Sequence, residues 1–167
     1  LPLIKHYRKK GPWIWRCHID FSKPDPDLWD YLKTFVERYD AAILTSPTYR
    51  QQLRIPQVFF APAIDPFTTK NCEMESAAIE ERLNHYHIPT DRPLVVQISR
   101  FDRWKDPEGV IAAFKQARKN VDCTLVLLGN AALDDPEGKD VYEAVLAQQE
   151  ERILVLSHQD SALVNAL

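Results

Sequence analysis

A chain of 167 residues with 45% hydrophobic and 10% aromatic residues has enough apolar side chain for a core, which argues against disorder and suits one ordinary domain or parts of two. A net charge of −3 gives no general attraction to nucleic acid or anionic membrane, so any basic site must be local, and no apolar run is long enough to span a bilayer. Cys17, Cys72 and Cys123 are odd in number and unevenly spaced, which argues against a disulfide framework and for plain thiols in a reducing compartment, with the cytoplasm as the default location.

In chain order, His6-Tyr-Arg-Lys-Lys10 before Gly11 reads as a helix C-terminus with cations at its negative end. Trp13 to Cys17 predicts a strand. Asp25-Pro26 opens a helix, and Leu28, Leu32, Phe35, Val36 and Tyr39 recur at helical spacing to give it one apolar face. Ala41 to Thr45 predicts a short buried strand, Thr48 to Leu53 a short helix and Val58 to Ala61 a further strand, so the first sixty residues read β-α-β-α-β. Pro62-Ala-Ile-Asp-Pro-Phe-Thr-Thr-Lys-Asn71 interrupts this rhythm as a loop or a crossing between domains. Glu75 to His85 follows as a polar helix with Ile79 and Leu83 on one side. Beyond Pro93, strands at 94–98, 123–128 and 153–156 alternate with helices at 107–118, 136–149 and from 160 onward. Such alternation predicts an α/β protein with parallel strands and right-handed crossovers. Two α/β halves around an irregular hinge is the simplest arrangement, and one continuous sheet is the alternative. The chain opens at Leu1 and finishes on Ser161-Ala-Leu-Val-Asn-Ala-Leu167, an amphipathic helix without a C-cap, so both ends read as cut ends.

Leu94-Val-Val-Gln-Ile-Ser-Arg-Phe-Asp-Arg-Trp-Lys-Asp-Pro107 carries the strongest chemical signal. Apolar residues at 94, 95, 96 and 98 predict a strand covered on both faces, and Asp106-Pro107 predicts an N-cap and first helical position. The loop between them offers Arg100 and Lys105 to an anion at the carboxyl end of a parallel strand, assisted by free N–H groups of the following helix. A diphosphate is the natural guest. The alternative is a pair of solvated loop cations, yet a cation at a helix start is repelled by the dipole by ~0.3–1 kcal/mol. The glycines at 11, 109, 129 and 138 are too dispersed for a Walker loop or a Gly-x-Gly-x-x-Gly fingerprint, which argues against a nucleoside triphosphatase or a standard NAD domain. His18-Ile-Asp20 sits at the end of the Trp13 strand, where it either serves a substrate as a polar or proton-handling pair or merely caps the strand. His6, His85, His87 and His158 show no metal-like spacing and read as surface or core residues, so no metal site is expected. Gly129-Asn130 borders the same sheet edge as Arg100, and Asp134 and Asp135 read as helix caps. Trp104 either stacks on a ring or packs on a neighbouring helix.

Trp15-Arg-Cys-His-Ile-Asp20, Pro62-Ala-Ile-Asp-Pro66, the Ile98 to Pro107 element, Asp134-Asp-Pro-Glu-Gly138 and Ala162 to Leu167 occur in an order that resembles the trehalose glycosyltransferring synthases, retaining nucleotide-sugar glycosyltransferases of family four with the GT-B fold. The resemblance implies parts of two Rossmann-like domains with parallel sheets. Residues 1–66 would be the C-terminal part of the N-terminal, acceptor-side domain, 67–90 a hinge and connecting helix, and 91–167 the N-terminal part of the nucleotide-sugar-binding domain. It implies donor-diphosphate binding and leaving-group stabilisation by Arg100 and Lys105, a catalytic His18 near the transferred sugar, and Asp20 at the sugar hydroxyls. The reaction implied is transfer of glucose from ADP-glucose or UDP-glucose to glucose, giving trehalose, with no metal or other cofactor. Partners would be the nucleotide-sugar donor and the sugar acceptor, without nucleic acid or membrane, and a homodimer of the full-length protein is compatible with it. The family's Gly-rich donor loop and its donor-binding glutamate pair are missing, so the piece is expected to be a fragment, inactive or weak alone. A different acceptor, as in sucrose-phosphate-synthase-like or glycan-extending enzymes, and a noncatalytic nucleotide-binding module are the alternatives.

Overall fold

The computed structural model describes residues 1–7, 10–130 and 136–167. The chain forms two compact units, Leu1–Ile64 and Asp65–Leu167. Each has its own three-stranded sheet, so the single continuous sheet is set aside.

In the first unit, a 3-10 turn at Pro2–Lys5 precedes β1 (Ile14–Arg16), α1 (Pro26–Val36), β2 (Ala41–Leu44), a 3-10 turn at Pro47–Tyr49 and β3 (Gln57–Phe59). The strands are parallel in the order β1-β2-β3, with Ile14 opposite Ala41 and Ala42 opposite Gln57. α1 begins where Asp25 Oδ1 accepts the Leu28 N–H at 2.9 Å and Pro26 fills the first position, which needs no N–H. Its buried stripe differs from the one expected: Leu28 is 57% exposed, while Trp29 is buried. Trp29 and Val36, seven residues apart, lie within about 20° of each other on the helix, whereas Leu28 sits about 100° aside from Trp29. Trp29 meets Phe21 edge-on with ring centres 4.8 Å apart, and Cys17, Val36 and Leu44 complete that core. The helix expected at Thr48 to Leu53 is only the turn Pro47–Tyr49. The Gln57 side chain takes over the backbone of residue 51, donating to the Gln51 C=O at 2.7 Å and accepting its N–H at 2.9 Å, so a helix has lost both groups.

The second unit runs α2 (Ser76–His85), β4 (Leu94–Ile98), a 3-10 turn at Arg103–Lys105, α3 (Pro107–Ala117), β5 (Thr124–Gly129), α4 (Pro136–Leu146), β6 (Ile153–Ser157) and α5 (Ser161–Ala166). The sheet order is β4-β5-β6, all parallel, with Leu94 opposite Thr124 and Leu125 opposite Ile153. The strand buried along its whole length is β5, not β4. β4 is an outer strand of the three, and Val95 and Ile98 are 40% and 41% exposed. β5 alternates between two cores: Leu125 and Leu127 pack with Ile111 and Phe114 of α3 and Val141 and Val145 of α4, while Val126 and Leu128 pack with Leu83 of α2 and Leu163 of α5. Each such side chain contributes roughly 1.5–3 kcal/mol relative to exposure. This two-sided cover is why β5 reads as a nearly unbroken apolar run. α2 therefore packs in the second unit with α5 and the sheet. Among the described residues no helix is long and apolar enough to cross a membrane.

Candidate functional site

All three strands of the second unit end at one edge, where the loops after Ile98, Gly129 and Ser157 enclose a groove of about 400 Å³. Ser99, Arg100, Asn130, His158, Asp160 and Lys70 are among its walls. A larger depression of about 520 Å³ lies at the opposite, amino end of the strands, among Arg118, Asp122, Glu150 and Arg152. Its arginines are already paired, Arg118 with Glu150 at 2.9 Å and Arg152 with Asp122 at 3.1 Å. The carboxyl-end groove is also where open parallel sheets bind ligands.

The backbone around Arg100 is closely fixed. A Cβ on Gly129 would lie 1.9 Å from the Ser99 carbonyl oxygen, so only glycine lets the end of β5 approach the loop that leaves β4. Phe101 donates its N–H to the Asn130 C=O at 3.2 Å and buries its ring against Tyr142, with centres 5.0 Å apart. The next residue, Asp102, is buried; its Oδ1 accepts the Lys105 N–H at 3.0 Å. Asp102 Oδ2 lies 3.2 Å from Arg100 Nη2 as an ion pair without a hydrogen bond. With a side chain 67% exposed, Arg100 retains N–H donors for a guest in the groove.

Lys105 shares Asp102 with Arg100 through its backbone, and Gln97 Nε2 donates to its C=O at 2.7 Å. Its side chain is exposed and lies outside the groove walls. The free helix N–H groups expected to assist an anion are largely used up. Asp106, in the left-handed region at φ 47°, accepts the Gly109 N–H at 3.1 Å, and Pro107 has none to offer. Trp104 is 95% exposed and neither packs on a helix nor lines the groove.

On the far wall, Asp160 caps α5, its Oδ1 accepting the N–H groups of Ala162 and Leu163 at 2.9 and 3.1 Å. Its Oδ2 accepts from Tyr86 Oη at 2.8 Å and from Arg82 Nη1 at 3.3 Å. The Tyr86 hydrogen bond, the Leu163 N–H and the Arg82 charge hold the Asp160 carboxyl below the usual range, and the same bond pushes the Tyr86 phenol up. Asp160 is thus a saturated carboxylate.

His18 and Asp20 stand together in the first unit, both exposed, just past the carboxyl end of β1. His18 Nε2 accepts from Arg16 Nε at 3.1 Å, a local bond of the strand-capping kind. Asp20 Oδ1 accepts the Ser22 N–H at 2.8 Å, and bonds from the Ser22 side chain and backbone hold its carboxyl below the usual range. Asp20, Phe21, Leu28 and Trp29 flank a small groove of about 150 Å³. Arg100 and Lys105 are thus neighbours in one unit, and His18 and Asp20 in the other. Asp134 and Asp135 lie outside the described residues.

Sequence reading missed Lys70, His158 and Asp160. The last two directly follow a predicted parallel strand, a signal that could have flagged them. Lys70 lies in an irregular segment with no such signal.

A family model described as "Trehalose synthase, N-terminal domain" matches residues 1–51. A trehalose synthase of Pyrococcus horikoshii is 40% identical over 147 residues, covering 86% of this chain and 35% of that protein. One of Rubrobacter xylanophilus is 39% identical over 133 residues, covering 78% of this chain and 32% of that protein. A trehalose phosphorylase of Grifola frondosa is 27% identical across 87% of this chain and 24% of its own length. The chain thus spans about a third of the length of the synthases it matches. In fold, it matches a solved glycosyltransferase of Rickettsia africae with a TM-score of 0.66 at 15% identity, over 91% of this chain and 41% of that one. By sequence the chain is a relative of the trehalose synthases, and its two parallel α/β units are parts of Rossmann-like domains of the GT-B glycosyltransferase type.

Proposed function

We propose that the second unit binds the diphosphate of a nucleotide-sugar donor, and that the whole protein moves glucose from ADP-glucose or UDP-glucose to glucose, forming trehalose with retention. The observation that carries this reading is Arg100, an exposed guanidinium on a groove whose single carboxylate, among the described residues, is already saturated. Arg100 pairs with Asp102 on one side, and its remaining exposed N–H donors suit an anion. When the bond between the sugar and the diphosphate breaks, negative charge develops on the leaving oxygen, and a cation held beside it lowers the barrier. Arg100 supplies that charge from the groove wall, and Lys105 supplies a second from the exposed turn beyond. His18 and Asp20 are ligands of sugar hydroxyls in the first unit. No metal or other cofactor is invoked, since the two cations offset the developing charge. The similarity to trehalose synthases supports this choice of reaction.

A second reading comes from the trehalose phosphorylase that matches 87% of the chain. There the groove would take inorganic phosphate. Saturation-transfer NMR on this chain separates the two, with ADP-glucose, UDP-glucose, glucose 1-phosphate and phosphate as probes. Transfer to the nucleotide sugars is expected. Binding of glucose 1-phosphate or phosphate alone would favour the phosphorolytic reading, and binding of none would overturn both. The 167 residues alone, a third of the relatives' length, are expected to yield little or no trehalose from donor and glucose. Trehalose at an ordinary enzymatic rate would overturn that part.

A further inference from the structure

Lys70 lies on the segment before α2, yet it lines the same groove as Arg100. That segment is tightly fixed. Asn71 Nδ2 donates to the Asp65 C=O at 2.7 Å, and the N–H groups of Asn71 and Cys72 donate to the Thr68 C=O at 2.9 and 3.0 Å. Asn165, on α5, holds both flanks of Lys70, its Nδ2 donating to the C=O of Thr69 at 2.8 Å and of Cys72 at 2.7 Å.

We propose that Lys70 is a phosphate-binding residue of the groove and that Asn165 is its positioning residue. Lys70 has no ion-pair partner among the described residues. Asp160, the carboxylate that shares the groove, already accepts from Ala162, Leu163, Tyr86 and Arg82. Lys70 is the unpaired cation of the groove, and Arg100, paired on one side with Asp102, keeps further donors there, so the two offer an anion two points of contact, and a diphosphate can meet both. Arg100 presents a planar fork, while Lys70 adds a compact charge on a flexible stem that can follow the guest. α5 thus shapes the groove twice, through Asp160 at its start and through Asn165 near its end. The proposal rests on the nucleotide-sugar reading and adds to it a ligand from outside the strand-end loops.

The test is calorimetric titration of the chain with ADP, UDP and inorganic pyrophosphate. Lys70→Ala is expected to weaken all three by about tenfold, the loss of one charge-assisted contact, while Lys70→Arg keeps most of the affinity. Asn165→Ala is expected to weaken binding in the native background and to add little on top of Lys70→Ala. A purely structural asparagine would lower the melting temperature and affect both backgrounds alike, which would overturn the positioning role. Binding that depends on Arg100 but not on Lys70 would overturn the proposal and leave the nucleotide reading intact. Lys70-dependent binding of pyrophosphate without binding of ADP or UDP would uphold Lys70 and overturn the nucleotide. Binding of no probe would overturn both.

Discussion

At the scale of single residues, the site depends on what Gly129 and Asp102 do to the Arg100 loop. Gly129→Ala forces a Cβ against the Ser99 carbonyl, where only 1.9 Å is available, so β5 and the loop must separate. The expected cost is about 1–3 kcal/mol in urea unfolding, together with weaker nucleotide binding as Arg100 shifts. Full native stability in that variant would show that the approach is looser than described. Asp102→Asn keeps the shape that receives the Lys105 N–H and removes the charge facing Arg100. It is expected to cost about 1–2 kcal/mol, because a hydrogen bond to an ionised acceptor weakens to a neutral one, while diphosphate affinity is kept or raised. The position of Arg100 just past a strand end was legible in the sequence because an apolar run, a cation and a capped proline helix follow one another within fourteen residues. Lys70 was not, because its place on the groove depends on Asn165, 95 positions further along the chain.

At the scale of elements, burial separates what pattern alone merges. The apolar runs of β4 and β5 look alike, and only the pairing order makes one an outer strand and the other a centre clad on both sides. In α1 the expected stripe and the observed one share Leu32, Phe35 and Val36 but exchange Leu28 for Trp29, a bulky ring that fills the gap beside Phe21. Trp29→Ala is therefore expected to cost about 3–5 kcal/mol in chemical unfolding, and Leu28→Ala well under 1. The latch of Asp160, Tyr86 and Arg82 between α2 and α5 predicts a pH dependence with a definite sign. Asp160 is held below its ordinary value, so its contribution is complete above about pH 4 and disappears as the pH falls through its folded value. Tyr86 is raised, so its contribution is complete below about pH 10 and is lost as the pH rises through its folded value. Asp160→Asn should flatten both limbs of a stability profile. An unchanged profile would show that the latch contributes nothing to folding.

At the scale of the whole molecule, strand and helix alternation was enough for the α/β class, because a parallel sheet requires a crossover between successive strands. The proline-rich break at Pro62 to Asn71 pointed to a division of the chain, and the two sheets fall on either side of it. The groove's charge was not legible, because it depends on which carboxylates are already occupied, and those bonds link residues far apart in sequence, such as Tyr86 and Asp160. The central claim is that this chain reads a diphosphate through Arg100. Calorimetric titration of ADP into the native chain and into Arg100→Ala, with adenosine as the control, tests it most directly. ADP should bind the native chain at least tenfold more tightly than adenosine, and Arg100→Ala should abolish that advantage. Equal binding of ADP and adenosine, or an advantage unchanged without Arg100, would contradict it.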